Sequence, residues 1–519
     1  MVESKFDINS FASIAQTISF WAIETPSAIA IKDGNIQLSY AELEEKTTIL
    51  ANILSQNFSI IAGDLIAISM ERGVSLIVAM IAVIKCRATY IPIDQYKPPL
   101  WIQEVLSESK PKIVLTDSVN FKNINYPKKL NLSTLEYELE KCFLNNNPKD
   151  TDACYVIYTS GTTGSPNGVF VNNRNLINLL SVSNMIYSFS ESDTWCLFHS
   201  YSFDFSVWEI WGALAFGGRL VIAPHFTCRS PKDFYKLIKK EEITILNQTP
   251  SAFYPLQHEF IENDSTEKLK FVIFGGDRLD CSCISPWLNY FGYDKPKLFN
   301  MFGITETTIH VTYHKIALTE LGISPIGFPL PSFDIKLLDD DKNLVSDGEV
   351  GEITITGPCV TAGYRFNQKL TSSRFIPDSC GTLRYYSGDL ARFDKKIGYV
   401  YIGRKDQQIK FNGYRIEIGE IESAINKQDN VSQSAVVFDK KNPNAQKIIA
   451  YVILNQEKSF NTSQLRKSLR QLIPYYMLPT KIIVIKSLPL TTNSKVDREK
   501  LLSLYYNQHS EIKGVEHGY

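Results

Sequence analysis

Hydrophobic residues in the first part of the chain fall into short, uninterrupted runs. Residues 64–70, 89–93 and 113–116 are apolar and predict buried strands, as do residues 271–274 further along the chain. Residues 74–86 predict a buried helix, and the longest apolar run within it, 76–84, is far shorter than the roughly 18 residues that a membrane span requires. Strands that alternate with helices in this way predict an α/β fold with mainly parallel sheet.

The pattern changes from about residue 348. Residues 348–357 alternate with period two, as in an antiparallel sheet with one exposed face. Residues 403–413 are polar, contain glycine at both ends, and predict a joint between domains. The polar tail after about residue 506 is expected to be frayed. Three elements after the joint predict a small α+β unit: residues 420–427, 463–472 and 481–485.

Composition excludes several classes of protein without indicating any chemistry. The 519 residues include 54 Lys+Arg and 55 Asp+Glu, a formal net charge of -1, so the chain lacks the basic excess that would attract nucleic acid or an anionic membrane. The amino terminus lacks the basic and then apolar run of a signal peptide. The 9 cysteines are scattered and no histidine cluster completes a zinc pattern, which predicts reduced thiols in a cytoplasmic protein.

A run of hydroxyl residues and glycines follows an apolar strand at residues 155–168, which read YVIYTSGTTGSPNG. Such a loop can wrap phosphates, because glycines let backbone N–H groups approach and Thr or Ser hydroxyls donate further hydrogen bonds. The run is neither a Walker A loop nor a Gly-x-Gly-x-x-Gly dinucleotide turn. Taken alone, its hydroxyls would indicate an ordinary Ser- and Gly-rich surface loop.

The full run resembles the signature of the adenylate-forming superfamily, which includes non-ribosomal peptide synthetase adenylation domains, acyl-CoA synthetases and luciferases. Further matches follow in the family's order along nearly the whole chain, and the peptide-synthetase branch fits best. They are LSYAEL at 38–43, IKCRATYIPID at 84–94, FDFS at 203–206, NMFGITE at 300–306, YYSGD at 385–389, GRKDQQ at 403–408, GYRIEIGEIE at 413–422 and NSKVDR at 493–498.

The resemblance implies two domains. Residues 1–405 would form a large multi-lobed domain in which parallel sheets are sandwiched by helices, and residues 406–519 a small, mobile α+β domain. Asp406 matches the hinge about which the small domain rotates, and Gly413 lies in the loop that would then reach the active site for thioester formation. The implied activity is a ligase that uses ATP to activate a carboxylate and transfers it to the phosphopantetheine thiol of a carrier protein.

The same resemblance implies the residues that handle ATP and Mg²⁺. Negative charge develops on the α-phosphate oxygens during attack by the carboxylate, so cations must lie close to these oxygens to stabilise it. Lys495 would bridge the carboxylate and ATP, and Glu306, next to the catalytic candidate Thr305, would position Mg²⁺. Asp389 would accept hydrogen bonds from the ribose. The expected ATP- and AMP-binding residues are Thr159, Ser160, Gly161, Thr162, Thr163, Gly164, Asn300, Met301, Phe302, Gly303, Asp389 and Arg404.

Four positions depart from the family pattern. Asn167 stands where a lysine commonly meets the pyrophosphate end of ATP, Arg87 where glycine is usual, and Ile304 where proline is usual; residues 172–174 lack the common histidine. Because asparagine cannot supply the charge of a lysine, we expect weaker ATP binding or slower turnover.

The resemblance also implies a substrate pocket. Asp204 stands where amino-acid activators keep a carboxylate for the α-ammonium, since an unpaired buried ammonium would cost several kcal/mol. Ile309 replaces the valine of a lining associated with L-threonine. Asn247 and His310 would bond the threonine hydroxyl, which leaves serine as the expected competitor; alternatively they are satisfied core groups. The lining positions are Asp204, Phe205, Trp208, Asn247, Ile273, Gly275, Met301, Ile309, His310 and Lys495.

The motifs present and missing in the sequence indicate which partner proteins the chain would need. No condensation motif is present, and Gly275-Gly-Asp-Arg278 resembles a carrier site but lacks its serine. We expect a monomeric free-standing enzyme or an excised domain that acts on a peptidyl carrier protein, in trans or in an adjoining module, with a small MbtH-like activating protein as a further candidate partner. Two alternatives remain: an acyl- or aryl-CoA synthetase, against which Asp204 argues, and a catalytically silent amino-acid-binding or scaffold protein, which Asn167 makes conceivable.

Overall fold

The computed structural model describes residues 6–120, 124–135, 148–159, 166–266, 268–317, 323–378, 380–405, 408–441, 445–455, 461–489 and 496–513, with side chains as far as residue 507. In chain order the strands are β1 (Ile29–Asp33), β2 (Ile36–Ser39), β3 (Leu65–Ser69), β4 (Thr89–Pro92), β5 (Ile113–Thr116), β6 (Lys129–Asn131), β7 (Ala153–Thr159), β8 (Asn167–Asn172), β9 (Thr194–Leu197), β10 (Arg219–Ile222), β11 (Ile245–Gln248), β12 (Phe271–Phe274), β13 (Lys297–Phe302), β14 (Thr312–Lys315), β15 (Pro325–Pro329), β16 (Asp334–Leu338), β17 (Val350–Thr356), β18 (Phe375–Pro377), β19 (Leu383–Asp394), β20 (Gly398–Arg404), β21 (Gln408–Phe411), β22 (Tyr414–Glu417), β23 (Val431–Asp439), β24 (Lys447–Leu454) and β25 (Lys481–Val484). The helices are α1 (Gln16–Glu24), α2 (Tyr40–Asn57), α3 (Val74–Lys85), α4 (Pro99–Ser109), α5 (Asn173–Tyr187), α6 (Phe205–Leu214), α7 (His225–Cys228), α8 (Pro231–Lys240), α9 (Pro250–Glu262), α10 (Ser285–Phe291), α11 (Gln368–Arg374), α12 (Ile418–Asn426), α13 (Thr462–Leu472) and α14 (Arg498–Lys513).

The described residues form two compact units. The first contains those of Met1–Gln95, Val105–Thr159 and Asn167–Lys405, and the second those of Tyr96–Glu104, Ser160–Pro166 and Asp406–Tyr519.

Two sheets organise the first unit. The larger sheet has the order β16-β17-β19-β20-β15-β14-β13-β12-β11-β9-β10-β1-β2, with β18 beside β19. From β1 through β10, β9, β11 and β12 to β13 neighbouring strands are parallel, and from β13 to β16 they are antiparallel. The second sheet, β6-β5-β3-β4-β7-β8, is parallel except between β7 and β8. These mixed sheets with their helices confirm the predicted α/β class.

The apolar runs became buried elements. β5 and β12 coincide with strands predicted from the sequence, and every residue of α3 from Leu76 to Ile84 is buried. Parallel strands covered on both faces favour such uninterrupted apolar runs. Across the ranges that the structure describes, no helix is both long and apolar enough to cross a membrane.

The end of α3 explains why glycine is usual at position 87. Arg87 follows the C-cap Cys86 and has a φ of 58°, the left-handed conformation in which many helices end and which favours glycine. The arginine there pairs with Asp152, whose carboxylate accepts a hydrogen bond of 2.8 Å from Nε. The departure from the family pattern therefore adds an ion pair at a strained position.

The prediction of an exposed face for residues 348–357 was wrong. β17 pairs antiparallel with β16 and β19 as expected, but it is buried on both faces from Gly351 onward. Its polar side chains bond within the sheet: Thr354 Oγ1 donates to the carbonyl of Lys336 at 3.0 Å, and Arg384 donates to Thr354. Hydrogen bonding, and not exposure to water, satisfies the polar positions of the alternation.

The second unit contains the predicted small α+β structure. β21 and β22 form a hairpin, and α12, α13 and α14 accompany the sheet β23-β24-β25. Asn412 and Gly413 form the hairpin turn with φ of 51° and 80°, which suits an Asn-Gly pair. α14 continues to Lys513, and the expected fraying of the tail after residue 506 stays a prediction. The buried side chains of Leu501 and Tyr505, four positions apart, anchor this helix.

Candidate active site

Several of the predicted substrate residues lie at the carboxyl ends of adjacent parallel strands, where open α/β sheets bind ligands. Asn247 and Ile273 are paired positions on β11 and β12, and Met301 is near the end of β13. Gly275 directly follows β12. A Cβ at Gly275 would lie 3.0 Å from His310 Cε1 and 3.2 Å from Phe205 Cζ, so these residues close one side of the site.

A buried carboxylate begins helix α6. Asp204 is the N-cap residue, is 5% exposed, and accepts a hydrogen bond of 2.7 Å from Thr305 Oγ1. Thr305 starts the single 3₁₀ turn Thr305–Thr307 that follows β13. The structure therefore brings a predicted substrate residue and a predicted catalytic residue into direct contact. The amino-terminal end of a helix also favours negative charge.

Two polar side chains in the site have hydrogen-bonding capacity that the described residues leave unused. Trp208 Nε1 donates to Asn247 Oδ1 at 2.9 Å, which fixes the amide so that its Nδ2 donor remains without a partner there. Both ring nitrogens of His310 likewise have no partner among the described residues, and the ring packs edge-on against Trp208 and Phe205. Burial lowers the pKa of His310 to about 3, so the imidazole is neutral. Buried polar groups without partners are uncommon and favour a polar ligand.

A strained turn places His310 in the site. Thr308 and Ile309 have φ of 59° and 70°, and the N–H of His310 donates to the carbonyl of Thr308 at 2.8 Å, which makes a γ-turn centred on Ile309. A β-branched residue with positive φ is costly. Gly303 is required beside this turn, because a Cβ there would lie 2.0 Å from the carbonyl oxygen of Ile309.

The predicted ribose carboxylate is fully buried. Asp389 accepts a hydrogen bond of 3.0 Å from the Tyr401 hydroxyl, and its Oδ2 lies 2.9 Å from an Arg404 guanidinium nitrogen. The Tyr401 ring in turn lies 6.1 Å from that of Phe302, at the end of β13. Burial, together with Asp389, raises the pKa of Tyr401, which keeps it a proton donor. Asn300 is also nearby in sequence, but its amide already donates to the Pro325 carbonyl at 2.7 Å.

The predicted magnesium residue is a buried carboxylate with a tyrosine partner. Glu306 is 1% exposed and accepts a hydrogen bond from the Tyr364 hydroxyl. Tyr364 pairs with Val169 in β8, the strand that follows the predicted phosphate loop. In the described part of the chain, no group of three or more metal-ligating side chains is present. A single carboxylate fits Mg²⁺, which is commonly held by one or two carboxylates together with substrate phosphates.

Several predicted residues lie outside the described residues: Ser160, Gly161, Thr162, Thr163, Gly164, Asp406 and Lys495. Their roles stay predictions. Thr159 ends β7, and its hydroxyl donates to the Asn167 carbonyl at 3.4 Å. Asn167 is 7% exposed, and its Oδ1 accepts from Asn367 Nδ2 at 3.0 Å. The asparagine at the family's lysine position is thus engaged with a second asparagine.

Sequence reasoning missed Tyr364 and Tyr401. Each donates to a carboxylate that was predicted, Glu306 and Asp389 respectively. The chain contains 26 tyrosines, and no spacing distinguishes these two from the rest. Only their contacts in the folded structure identify them.

Comparisons with known proteins agree with this arrangement. The model of the AMP-binding enzyme family matches residues 19–365, and that of the AMP-binding enzyme C-terminal domain matches residues 420–495. The chain is 38% identical over 498 residues to a dimodular nonribosomal peptide synthase of Bacillus subtilis (strain 168), a match that covers 92% of this chain and 21% of that protein. It therefore spans about a fifth of the length of that relative.

Two further proteins are similar over most of their own length. Syringomycin synthase SyrB1 of Pseudomonas syringae pv. syringae is 33% identical over 505 residues, which cover 95% of this chain and 82% of that protein. The structure of NpsA-ThdA, an artificially fused adenylation–PCP di-domain NRPS from Klebsiella oxytoca, matches with a TM-score of 0.80 and 26% identity, over 91% of this chain and 93% of that one. The chain belongs to the AMP-binding enzyme family and is of the adenylation type found in nonribosomal peptide synthetases.

Proposed function

We propose that the chain activates an amino acid with ATP, releases pyrophosphate, and transfers the aminoacyl group to the phosphopantetheine thiol of a carrier protein. Family membership supports the reaction, and the fused adenylation–PCP protein of similar structure supports the carrier. One observation carries the choice of an amino acid over other acids. The Asp204 carboxylate is buried at the start of α6, the helix that carries the predicted pocket residues Phe205 and Trp208, where the α-ammonium of a substrate would balance its charge.

The unused polar groups of the pocket support L-threonine as the substrate. Asn247 Nδ2 is a donor, and a neutral His310 has one nitrogen that accepts. An aliphatic hydroxyl can accept one hydrogen bond and donate another, so a single hydroxyl would pair with the Asn247 donor and with the accepting ring nitrogen of His310. The neighbouring side chains of Ile309 and Met301 are apolar and would suit a methyl group. Serine offers the same hydroxyl, and is therefore the expected second substrate.

Each residue of the site has a separate role in the proposed adenylation step. A substrate carboxylate oxygen attacks the α-phosphorus, the bond to the bridging oxygen of the β-phosphate breaks, and pyrophosphate leaves with its electron pair. Lys495 would offset the charge on the α-phosphate, and Mg²⁺, when bound by the phosphates and Glu306, neutralises the leaving group. Asp389, held by Arg404, would accept hydrogen bonds from the ribose. These groups act by position and charge.

The second half-reaction exchanges AMP for a thiol. The phosphopantetheine sulfur attacks the acyl carbon, the bond from that carbon to the phosphate oxygen breaks, and AMP leaves. We propose rotation about Asp406, which would withdraw Lys495 and bring the turn at Gly413 to the reaction. We expect a cytoplasmic monomer that meets its carrier in trans or in an adjoining module, and a small MbtH-like protein is the first additive to try if activity is low.

Pyrophosphate exchange into ATP tests the substrate. Each proteinogenic amino acid is assayed with and without an added MbtH-like protein. Threonine should give the strongest exchange, serine ~10- to 200-fold less in kcat/KM, and valine ~10⁴-fold less or lower, because valine leaves the buried polar groups unpaired. Strongest exchange with valine would refute the pocket assignment. Exchange with no amino acid, but CoA-dependent AMP release with an aryl or fatty acid, would favour the CoA synthetase alternative.

A lysine substitution separates the two half-reactions. Lys495→Ala should lose adenylation yet still transfer threonine from preformed threonyl-AMP to a carrier protein. Lys500→Ala, which changes an exposed lysine on α14, is the matched control and should retain both activities. Normal adenylation by the Lys495 variant would show that this lysine does not act on the α-phosphate.

A further inference from the structure

Asp389, the proposed ribose carboxylate, lies in a β-bulge of strand β19. Between the pairs Glu352↔Leu390 and Thr354↔Tyr386, β17 contains one residue whereas β19 contains three, 387–389. The middle one, Gly388, has a φ of 74°. Bulges of this kind redirect a side chain, and they occur frequently next to active sites.

The polar groups of the bulge have identifiable partners. Gly388 is buried, and its N–H donates to Glu352 Oε1 at 2.9 Å. The N–H of Asp389 donates to Ser387 Oγ at 3.0 Å, and Ser387 Oγ donates to the Ile353 carbonyl at 2.6 Å. The bulge is thus supported by side chains where the regular strand ladder is interrupted.

Glu352 joins this bulge to the last residue of the first unit. The glutamate is 9% exposed, and its Oε2 lies 3.3 Å from Lys405 Nζ. The backbone N–H of Lys405 donates to the Gly388 carbonyl at 2.8 Å. Lys405 also pairs with Asp340 at 2.6 Å, but the Asp340 side chain is 88% exposed, where an ion pair contributes little. The hydrogen bond from the Gly388 N–H to Glu352 is therefore the contact that mainly holds the bulge in place.

We propose that Glu352 is a positioning residue for the nucleotide: it holds the bulge of β19 so that the Asp389 carboxylate is presented to the ribose hydroxyls. The inference rests on the proposed role of Asp389. Without Glu352, the buried Gly388 N–H would have no acceptor, and the bulge would rearrange to find one. Such a rearrangement moves Asp389, the next residue, relative to Tyr401 and Arg404.

The test compares ATP with 2′-deoxy-ATP and 3′-deoxy-ATP in the full chain. Affinities are measured by calorimetry, and KM by pyrophosphate exchange. A hydrogen bond to a charged acceptor predicts that the wild type prefers ATP to at least one deoxy analogue by about tenfold to a hundredfold. Glu352→Ala should reduce that preference to less than about threefold while the affinity for the deoxy analogue stays similar. Glu352→Gln retains a carbonyl acceptor for Gly388 and should restore the preference.

Two controls separate positioning from general destabilisation. Asp340→Asn removes the exposed partner of Lys405 and should leave the preference unchanged. Glu352→Leu keeps the side-chain volume and repeats the experiment should Glu352→Ala fold poorly. A variant that is merely less stable would weaken ATP and deoxy-ATP alike, so an unchanged ratio in both Glu352 variants would overturn the inference.

Asp389→Asn distinguishes failure of the inference from failure of the proposed ribose site. A lost preference in Asp389→Asn with a retained preference in Glu352→Ala would refute the role of Glu352 alone. A retained preference in Asp389→Asn would refute ribose recognition by Asp389, and the positioning role with it. In a double-mutant cycle, the Glu352→Ala and Asp389→Asn effects on the ratio should not multiply, because both remove the same contact.

Discussion

His310 should make the stability of the first unit depend on pH. Burial lowers its pKa from 6.5 to about 3 in the folded protein, whereas the unfolded chain retains the ordinary value. Between these values the unfolded chain takes up a proton that the folded chain does not. His310 therefore leaves the free energy of unfolding undiminished above pH 6.5, and lowers it progressively as pH falls from 6.5 towards 3. Each pH unit in that window corresponds to about 1.4 kcal/mol, so the loss between pH 8 and 5 is about 2 kcal/mol.

The perturbation is His310→Leu, which keeps similar volume and removes the titrating group. Wild type and variant are unfolded in urea at pH 8, 7, 6 and 5. Tryptophan fluorescence follows the first unit, since Trp195, Trp208, Trp211 and Trp287 are all fully buried there. All other titrating groups are shared, so the difference between the two proteins isolates His310. The free energy of unfolding of the wild type should fall by about 2 kcal/mol more than that of the variant between pH 8 and 5.

The result has a clear contrary outcome. Parallel stability curves would mean that His310 titrates near its ordinary pKa in the folded protein, and so has access to water or to a partner. The same variant supplies a second readout in pyrophosphate exchange. Loss of the ring nitrogen should reduce the preference for threonine over 2-aminobutyrate by roughly tenfold or more, since one hydrogen-bond acceptor for the hydroxyl is gone. An unchanged preference would remove His310 from substrate recognition.

Three further substitutions test the rest of the site. Tyr364→Phe should lower kcat roughly tenfold with little change in the KM for amino acid, because Glu306 loses a hydrogen bond; a normal response to Mg²⁺ titration would contradict this. Gly303→Ala should lower the melting temperature sharply or abolish soluble expression, since its Cβ would meet the Ile309 carbonyl at 2.0 Å; a stable variant would show that the turn relaxes. Asn167→Lys should lower the KM for ATP or raise the rate in pyrophosphate exchange, and an unchanged enzyme would show that the position is idle.

The elements that the sequence predicted well are those whose pattern has one physical cause. β5, most of β12 and residues 76–84 of α3 are buried, so an unbroken apolar run was sufficient to locate these elements. The burial of β17 was harder to predict, because an alternating pattern shows which side chains are polar but does not show whether other residues cover them. Thr354 and its neighbours face groups that bond them, and this depends on strands distant in sequence.

The candidate site divides in the same way. Residues within ordered motifs, such as Asp204 and Asp389, were identified by resemblance, and the structure shows them buried with specific partners. Thr305 and Arg404 were also predicted, but the tyrosine partners Tyr364 and Tyr401 escaped prediction. Tyr364 is 58 residues from Glu306, and nothing local to either residue indicates the contact. Such contacts form between residues that the fold brings together, and a single sequence does not display them.

The strained turn links the proposed substrate residues to the proposed nucleotide residues. Left-handed backbone at Thr308 and Ile309 is unfavourable by itself, and a β-branched side chain at Ile309 makes it more so. Two bonds offset the strain: Thr308 Oγ1 donates to the Cys359 carbonyl at 2.6 Å, and the N–H of Val311 donates to the Phe302 carbonyl at 2.7 Å. The second bond joins the turn that carries Ile309 and His310 to the strand end that carries Met301 and Phe302, two of the expected ATP-binding residues. We therefore expect a change at position 309 that relaxes the turn to alter the proposed substrate selectivity and the proposed ATP binding together.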